Sequence, residues 1–352
     1  MKYTLLILFA IFFPGLSHFS CRSAPLPVEQ KQAEEGEGTV EDESYPEITL
    51  PPVEGELPVS AFREIWAYVV AGREAALRPG LPVSDIGYFG AEVDSYGRLT
   101  DVPSRRALPA FSGRVHLVVA CNGRALSHFV LVPGSAERKA LIADLLAASG
   151  DFDGLQVDFE YILAQDGHVF LSFLTELRAG LGNKMFTVAL PARTRKLEND
   201  VYDYERIKPV ADRILVMAYD EHWSGSAPGS IASLSWCARV AEYSLKAVGR
   251  EKLIMGLPFY GRAWGSLNPS QAHVYSGIER IFRENNVSEI RRENGIPTFD
   301  YEITVPVKVY YEDEYSLSVR MEMYRSMDIA AIGFWRLGQE TPAVWKLLQL
   351  LR

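Results

Sequence analysis

The residues best suited to chemistry lie in the stretch 153–160, which reads Asp-Gly-Leu-Gln-Val-Asp-Phe-Glu. In a β-strand, successive side chains point to opposite faces. One face of this stretch is apolar, at Leu155, Val157 and Phe159; the other is polar, at Gln156, Asp158 and Glu160. Because an unpaired buried carboxylate is costly, a strand that keeps Asp158 and Glu160 on one face is expected to use them. Two such carboxyl groups are suited to proton transfer.

Other polar and aromatic residues close later apolar runs. Tyr219 and Asp220 end one run, Arg262 lies in a Gly-Leu-Pro-Phe-Tyr-Gly-Arg stretch, and Trp335 ends the last run. If these runs are parallel strands of one barrel, their C-terminal ends meet at one cleft. Carboxyl groups that move protons and an indole that offers a flat apolar face are suited to a sugar substrate.

The elements that would position these residues alternate between strand and helix. Eight apolar runs predict strands, at 65–70, 85–91, 115–121, 154–159, 185–190, 214–219, 252–258 and 330–335. Apolar residues at helical spacing predict helices, at 136–148, 169–181, 231–248, 313–327 and 341–350. Near-continuous apolar strands are typical of parallel sheets buried on both faces. Eight of them with intervening helices predict an α/β fold, a closed (β/α)8 TIM barrel.

Two connections depart from this regular pattern. The link between the second and third strands shows no convincing helix. The link between the seventh and eighth strands is long and contains β-prone residues, so a small α+β insertion is expected at about 265–311. The barrel domain as a whole is expected to occupy residues 59–352.

The N-terminal residues indicate export. Residues 1–21 combine Lys2 with an apolar run at 3–13 that is too short to span a bilayer. They resemble a bacterial lipoprotein signal ending at Cys21, and both lipidation of Cys21 and plain secretion are compatible with them. Residues 22–58 hold ten acidic and two basic residues and account for most of the net charge of −9. This segment is expected to be a disordered tether.

Composition excludes several other functions. No run of basic residues suggests nucleic-acid binding. Beyond Cys21, only Cys121 and Cys237 occur; both lie in apolar segments, which predicts buried free thiols, although a disulfide is possible in an exported protein. No Cys/His cluster and no calcium-loop spacing indicates a metal site.

The ordered motifs resemble those of the family-18 glycoside hydrolases, the chitinase-like barrels. Residues 153–160 match Asp-Gly-x-Asp-x-Asp-x-Glu at all specified positions but one, where Gln156 replaces Asp. The Met-x-Tyr-Asp motif, the Gly-x-Pro-x-Tyr-Gly-Arg stretch and the terminal Trp follow in the family's order. The resemblance covers about residues 62–350. The chain is similar to one branch of the family, the spore-cortex and cell-wall hydrolases, in the amide at 156 and in the residues around 219–223 and 309–317.

The resemblance implies a retaining, substrate-assisted mechanism. Glu160 would be the general acid and then the base. The substrate's own acetamido carbonyl would attack the anomeric carbon, with Asp158 orienting that group and Tyr219 donating a hydrogen bond to it. No cofactor and no metal are implied.

Supporting roles also follow from the resemblance. Asp153 and Gln156 would orient Asp158, the amide without sharing its charge. Trp335 would form the floor of the sugar site, and Asp220, Arg262 and Tyr68 would contact substrate. For the indoles of Trp223 and Trp264, the sequence leaves two roles open: contact with a sugar, or simple packing. Trp66 and Tyr68, on the first strand, are expected to divide between core and cleft.

These inferences predict an exported, monomeric hydrolase of β-1,4-linked glycans that contain N-acetylglucosamine, either peptidoglycan or chitin-type. The glycan is the expected partner, and a membrane is a second one if Cys21 is acylated. One alternative is a glycan-binding lectin on the same fold, which the acid Glu160 disfavours and Gln156 keeps open. Another is a lipoprotein with a purely structural envelope role, which would leave Glu160 and Tyr219 unexplained.

Overall fold

The computed structural model describes residues 55–265, 271–302 and 306–351. The signal-like segment 1–21, with Cys21, and residues 22–54 of the acidic segment lie outside the described residues. The export signal, the lipidation site and the tether therefore stay predictions. In the described ranges, no helix has the length and apolarity needed to cross a membrane.

Eight parallel strands form a closed barrel, as the sequence predicted. They are β1 Glu64–Val70, β2 Asp85–Val93, β3 Arg114–Ala120, β4 Gly154–Asp158, β5 Met185–Pro191, β6 Arg213–Met217, β7 Leu253–Pro258 and β8 Ala331–Trp335. Each barrel strand pairs with the next barrel strand, including β7 with β8, although an insertion separates these two in the sequence. β8 pairs with β1, which closes the barrel. The observed bounds lie within two residues of the predicted ones.

Seven α-helices accompany the described strands. They are α1 Arg124–Leu131, α2 Ala136–Ala148, α3 Gly167–Gly180, α4 Tyr204–Ile207, α5 Leu234–Ala247, α6 Tyr275–Glu284 and α7 Glu314–Ser326. The sequence predicted α2, α3, α5 and α7 but missed α1 and α4, which are short. Ser135 caps α2 by accepting a hydrogen bond from the backbone N–H of Arg138. As expected, no α-helix lies in the described link between β2 and β3, which holds the strand Leu99–Thr100 and a 3-10 turn at Arg105–Ala107.

The predicted C-terminal helix at 341–350 is wrong. The chain there forms a 3-10 helix at Pro342–Leu347 and then a strand at Leu348–Leu350. That strand pairs in parallel with Ser60–Phe62, just before β1. Pairing with the start of the domain satisfies backbone groups that a helix would have bonded internally.

The insertion between β7 and β8 is a five-stranded antiparallel sheet with one helix, α6. In spatial order its strands are Gln271–Val274, Tyr260–Gly265, Pro306–Tyr310, Ile296–Glu302 and Arg291–Glu293. It has its own apolar cluster, formed by Ala263, Ile278, Phe299, Val309 and Tyr311. The sheet begins at Tyr260 rather than at the predicted 265, so the Tyr-Gly-Arg stretch belongs to the insertion and not to a barrel strand.

The apolar residues form two layers, one between barrel and helices and one inside the barrel. Cys121 and Cys237 lie in the outer layer and are buried and free, as predicted. Burial raises the pKa of each thiol to about 11, so neither ionises readily at neutral pH. Trp66 and Tyr68 both point into the barrel interior, because residues two apart on a strand share a face.

A charged network fills the N-terminal end of the barrel. Asp85 is fully buried and accepts hydrogen bonds from Arg114 (2.6 and 3.0 Å), Ser84 (2.7 Å) and His116 (2.8 Å). Trp66 stacks on the His116 ring at 4.4 Å between centroids. This network lies at the opposite end of the barrel from the C-terminal strand ends.

Candidate active site

Two carboxyl groups mark the C-terminal end of β4. Asp158 is the last residue of β4 and is 8% exposed, while Glu160, two residues further on, reaches the solvent. The pKa of Asp158 is raised well above its ordinary value, first by burial and then by the negative charge of Glu160. A carboxyl group in this position holds its proton to a higher pH than a free aspartate does.

Glu160 has the environment of a general acid. Its side chain is exposed to solvent, and neighbouring protein atoms partly bury its carboxyl group. That burial, followed by the nearby charge of Asp220, raises the pKa of Glu160. A glutamate with a raised pKa holds its proton to a higher pH than a free glutamate does and can donate it to a leaving group.

Tyr219 lies near both carboxyl groups but comes from another part of the barrel, since β5 separates its strand from β4. It lies two residues beyond β6 and its ring sits over Gly256, where a Cβ atom would come within 2.9 Å of the ring. The pKa of Tyr219 is raised by burial and then by its neighbours, among them Asp158 and Glu160. The phenol therefore remains protonated and can donate a hydrogen bond.

Gln156, two residues before Asp158 on β4, bonds to side chains of two other strands. Its Oε1 accepts a hydrogen bond from the Tyr68 hydroxyl at 2.7 Å, and its Nε2 donates to Thr187 Oγ1 at 3.1 Å. Gln156 was predicted to orient Asp158, but its amide bonds to Tyr68 and Thr187 and not to that carboxyl group. Among the residues that the structure describes, the buried Oδ1 of Asp158 has no hydrogen-bond partner.

Asp153 does not contact Asp158, contrary to the prediction. Its carboxylate accepts a hydrogen bond from the backbone N–H of Val115 at 2.8 Å and pairs with Arg105 at 2.9 Å. It precedes β4 at the far end of the strand, roughly 16 Å from Asp158 at ~3.3 Å per residue. The odd spacing between positions 153 and 158 was a signal in the sequence that the two side chains take opposite faces.

Asp220, Tyr260 and Arg262 form one polar cluster. Asp220 Oδ1 accepts hydrogen bonds from the Tyr260 hydroxyl at 2.6 Å and from Arg262 Nη2 at 3.1 Å. Asp220 and Arg262 were predicted as substrate contacts; the structure brings them together beside Glu160, whose pKa responds to Asp220. Tyr260 was missed, although its even spacing from Arg262 puts both residues on one face of a strand.

Aromatic rings pack against Trp335, the predicted floor of the sugar site. Trp335 ends β8, is half-buried, and packs against Tyr68 at 5.5 Å and against Phe89 at 4.9 Å between ring centroids. Tyr68 bonds to Gln156 and packs against Trp335. It is only 2% exposed, so the predicted direct contact of Tyr68 with substrate does not fit its burial. Trp264 is buried, whereas Trp223 is 54% exposed on the loop after β6.

The site contains carboxyl, phenol, amide and indole groups but no evident metal cage. Within the described part of the chain, no three His, Cys, Asp or Glu side chains converge in a way that could hold a metal ion. The arrangement can donate and accept protons, offer hydrogen bonds to an amide-sized group, and present a flat apolar surface.

A parallel barrel with this acid pair at the end of its fourth strand has the architecture of a barrel glycosidase. The sequence model of the glycosyl hydrolases family 18 matches residues 111–340. The chain belongs to this family.

Individual relatives agree with this assignment. The uncharacterized glycosylase YvbX of Bacillus subtilis (strain 168) is 28% identical over 215 residues, 58% of this chain and 62% of that protein. The putative sporulation-specific glycosylase YdhD of the same organism is 33% identical over 222 residues, 58% of this chain and 52% of that protein. The chain thus spans between about half and three fifths of the length of these curated relatives.

A solved structure has the same fold. The spore cortex-lytic enzyme SleL of Bacillus cereus superimposes with a TM-score of 0.72 at 21% identity, over 82% of this chain and 74% of that one. At this identity the likeness concerns the fold alone.

Proposed function

We propose that this protein is a retaining glycosidase that cleaves β-1,4 bonds in glycans containing N-acetylglucosamine, with the substrate's acetamido group as the nucleophile. The observation that carries the proposal is the buried Oδ1 of Asp158, which has no protein partner among the described residues and lies beside Glu160 and Tyr219. A buried acceptor without a partner is costly. An amide N–H from the substrate would satisfy it.

Each residue has a distinct role in the proposed reaction. Glu160 protonates the glycosidic oxygen as the bond to the leaving sugar breaks. The acetamido oxygen attacks the anomeric carbon and forms a cyclic oxazolinium ion, while Asp158 accepts the amide N–H and Tyr219 donates to the oxygen. Water then attacks the same carbon with Glu160 as the base, so the β configuration is retained. Trp335 lies under the ring that is attacked.

The substrate class follows from this mechanism, because the sugar on the non-reducing side of the cleaved bond must carry an N-acetyl group. Both chitin and peptidoglycan satisfy that requirement. Two of the similar proteins are a putative sporulation-specific glycosylase and a spore cortex-lytic enzyme. By analogy, we favour a bacterial cell-wall glycan over chitin.

The proposal is tested by the release of reducing ends from chitin oligosaccharides and from peptidoglycan. Replacing the acid by an amide, Glu160→Gln, is expected to lower the rate by about 10²–10⁴-fold, with glycan binding and thermal unfolding preserved. Glu242→Gln, on the exposed face of α5, is the matched control and is expected to retain full activity. A wild-type protein that cleaves neither polymer would contradict the proposal.

A lectin is the second candidate, favoured by the amide at Gln156, which replaces an acid of the family motif. In this case wild type and Glu160→Gln would bind glycans equally well and neither would release reducing ends. The raised pKa of Glu160 favours the glycosidase over the lectin, because proton donation benefits from a carboxyl group that holds its proton more tightly than usual, whereas glycan binding alone does not require one.

We also propose that the protein is exported, with Cys21 as the site of acylation. The support is the sequence of residues 1–21 alone. Cys21→Ser is expected to move the protein from the membrane fraction to the soluble fraction. Unchanged fractionation would favour plain secretion.

A further inference from the structure

We propose that Tyr202 is a positioning residue that fixes the backbone turn carrying Glu160. The inference rests on the proposed function of Glu160 as the acid and adds a residue to which neither the sequence motifs nor the mechanism assigns a role. Tyr202 lies in the loop between β5 and α4, and β5 is the neighbour of β4 in the barrel.

The hydroxyl of Tyr202 bridges the two sides of the turn. It donates a hydrogen bond to the carbonyl oxygen of Phe159 at 2.9 Å and accepts one from the backbone N–H of Ile162 at 3.1 Å. These two groups flank Glu160 and Tyr161, just beyond the last residue of β4. One hydroxyl thus pairs two buried main-chain groups that have left the sheet.

Tyr202 is itself held firmly. The Arg193 guanidinium lies over its ring, 5.8 Å from the centroid, and Phe170 packs edge-on at 6.1 Å. Asp200 accepts hydrogen bonds from the Tyr202 backbone N–H at 3.1 Å and from Arg193 Nε at 2.6 Å. These contacts restrict the movement of the Tyr202 phenol. A residue that orients a catalytic group must itself be held in place in this way.

The position of the turn determines both where the Glu160 carboxyl lies and how tightly it holds its proton. A displacement of about 1 Å in a catalytic group can cost ~10²-fold in rate. The titratable groups near Glu160 come from three strand ends and are Asp158, Tyr161, Tyr202, Tyr219 and Asp220. If the turn loosens, the Glu160 carboxyl becomes more hydrated and its pKa falls toward the ordinary value.

The test compares two matched variants. Tyr202→Phe keeps the ring and removes both hydrogen bonds to the turn. The control is Tyr204→Phe: Tyr204 is also buried, lies two residues away, and donates its hydroxyl proton to the carbonyl of Pro191 at 2.7 Å, away from the turn. Circular dichroism and thermal melting would show that each variant folds.

For Tyr202→Phe we expect kcat to fall at least tenfold with KM within about twofold, and the alkaline limb of the pH profile to move to lower pH. For Tyr204→Phe we expect all three quantities to match wild type. If Tyr202→Phe keeps the wild-type kcat and pH profile, or if Tyr204→Phe changes them equally, the inference is overturned.

A second measurement separates this inference from the proposed function. The Glu160 carboxyl can be titrated by ¹³C NMR in wild type and in Tyr202→Phe without any substrate. A lower pKa in the variant supports the positioning role even if no tested glycan is cleaved, and an equal pKa overturns it. If Tyr202→Phe does not fold, Arg193→Gln, which removes the cation over the ring, is expected to lower the Glu160 pKa in the same direction by a smaller amount.

Discussion

Asp158 and Asp85 are two buried aspartates whose pKa values move in opposite directions. Burial and the charge of Glu160 raise the pKa of Asp158. Burial alone would also raise that of Asp85, but hydrogen bonds from His116, Arg114 and Ser84 outweigh it and lower the pKa. One aspartate lies at the candidate active site, where its charge costs stability, and the other lies at the barrel floor, where its charge contributes stability.

The raised pKa of Asp158 predicts a stability penalty that grows with pH. The folded protein holds this proton more tightly than the unfolded chain, so the free energy of unfolding falls as the pH rises above 3.8, the ordinary value. Asp158→Asn removes the penalty. We expect its Tm at pH 7.5 to exceed that of wild type by roughly 2–6 °C, for about 1–2 kcal/mol, while activity is lost. Calorimetry at pH 4 should show a much smaller difference, and a gain that does not depend on pH would contradict the argument.

Asp85→Asn should have the opposite effect. The lowered pKa means that this carboxylate stabilises the fold above pH 3.8 and that its contribution is lost as the pH falls below that value. We expect a loss of about 2–3 kcal/mol at neutral pH, less than for a fully buried pair because the Arg114 side chain is 41% exposed. Urea unfolding at pH 7 and pH 3 measures it; equal losses at both would count against the ionic explanation.

The elements differ in how far the sequence predicted them. All eight barrel strands were predicted, because strands buried on both faces are continuous apolar runs. The helices α1 and α4 were missed, since eight and four residues give too few turns for a periodic pattern. The predicted last helix was wrong because its segment pairs with Ser60–Phe62, a long-range contact that no local pattern reports.

The N-terminus of α7 joins the insertion to the helix that follows it. Asp313 caps α7 by accepting a hydrogen bond from the Ser316 N–H at 2.7 Å, and it pairs with Arg292 of the insertion sheet, also at 2.7 Å. One carboxylate thus serves as a helix cap and as an ion-pair partner between two elements.

Loss of this cap should cost more than loss of a simple one. We expect Asp313→Ala to lower the free energy of unfolding by about 2 kcal/mol, because the cap and the partly buried ion pair are lost together. Ser135→Ala, which removes only the α2 cap, should cost about 1 kcal/mol. Urea denaturation of both variants measures the difference. Equal losses would mean that the Arg292 pair contributes nothing.

In the whole molecule, three polar layers cross the barrel interior. The charged floor surrounds Asp85, the Tyr68–Gln156–Thr187 chain crosses the middle, and Asp158 lies above it. The sequence predicted that Asp158, Glu160, Tyr219 and Trp335 would share one end of the barrel. It did not predict which side chains bond across strands, because those contacts depend on strand register and side-chain conformation. Gln156 was therefore assigned to Asp158 and not to Tyr68 and Thr187.

In the proposed reaction, the acetamido group of the substrate performs the first attack while Asp158, Glu160 and Tyr219 assist it. The most direct measurement is ¹H NMR of the anomeric protons released early from a chitin oligosaccharide, alongside the same oligosaccharide after de-N-acetylation. With the acetamido group as the nucleophile, the β-anomer is expected to appear first, and bonds preceded by an unacetylated sugar are expected to remain intact. An α-anomer released first, or equal cleavage of the two substrates, would contradict it.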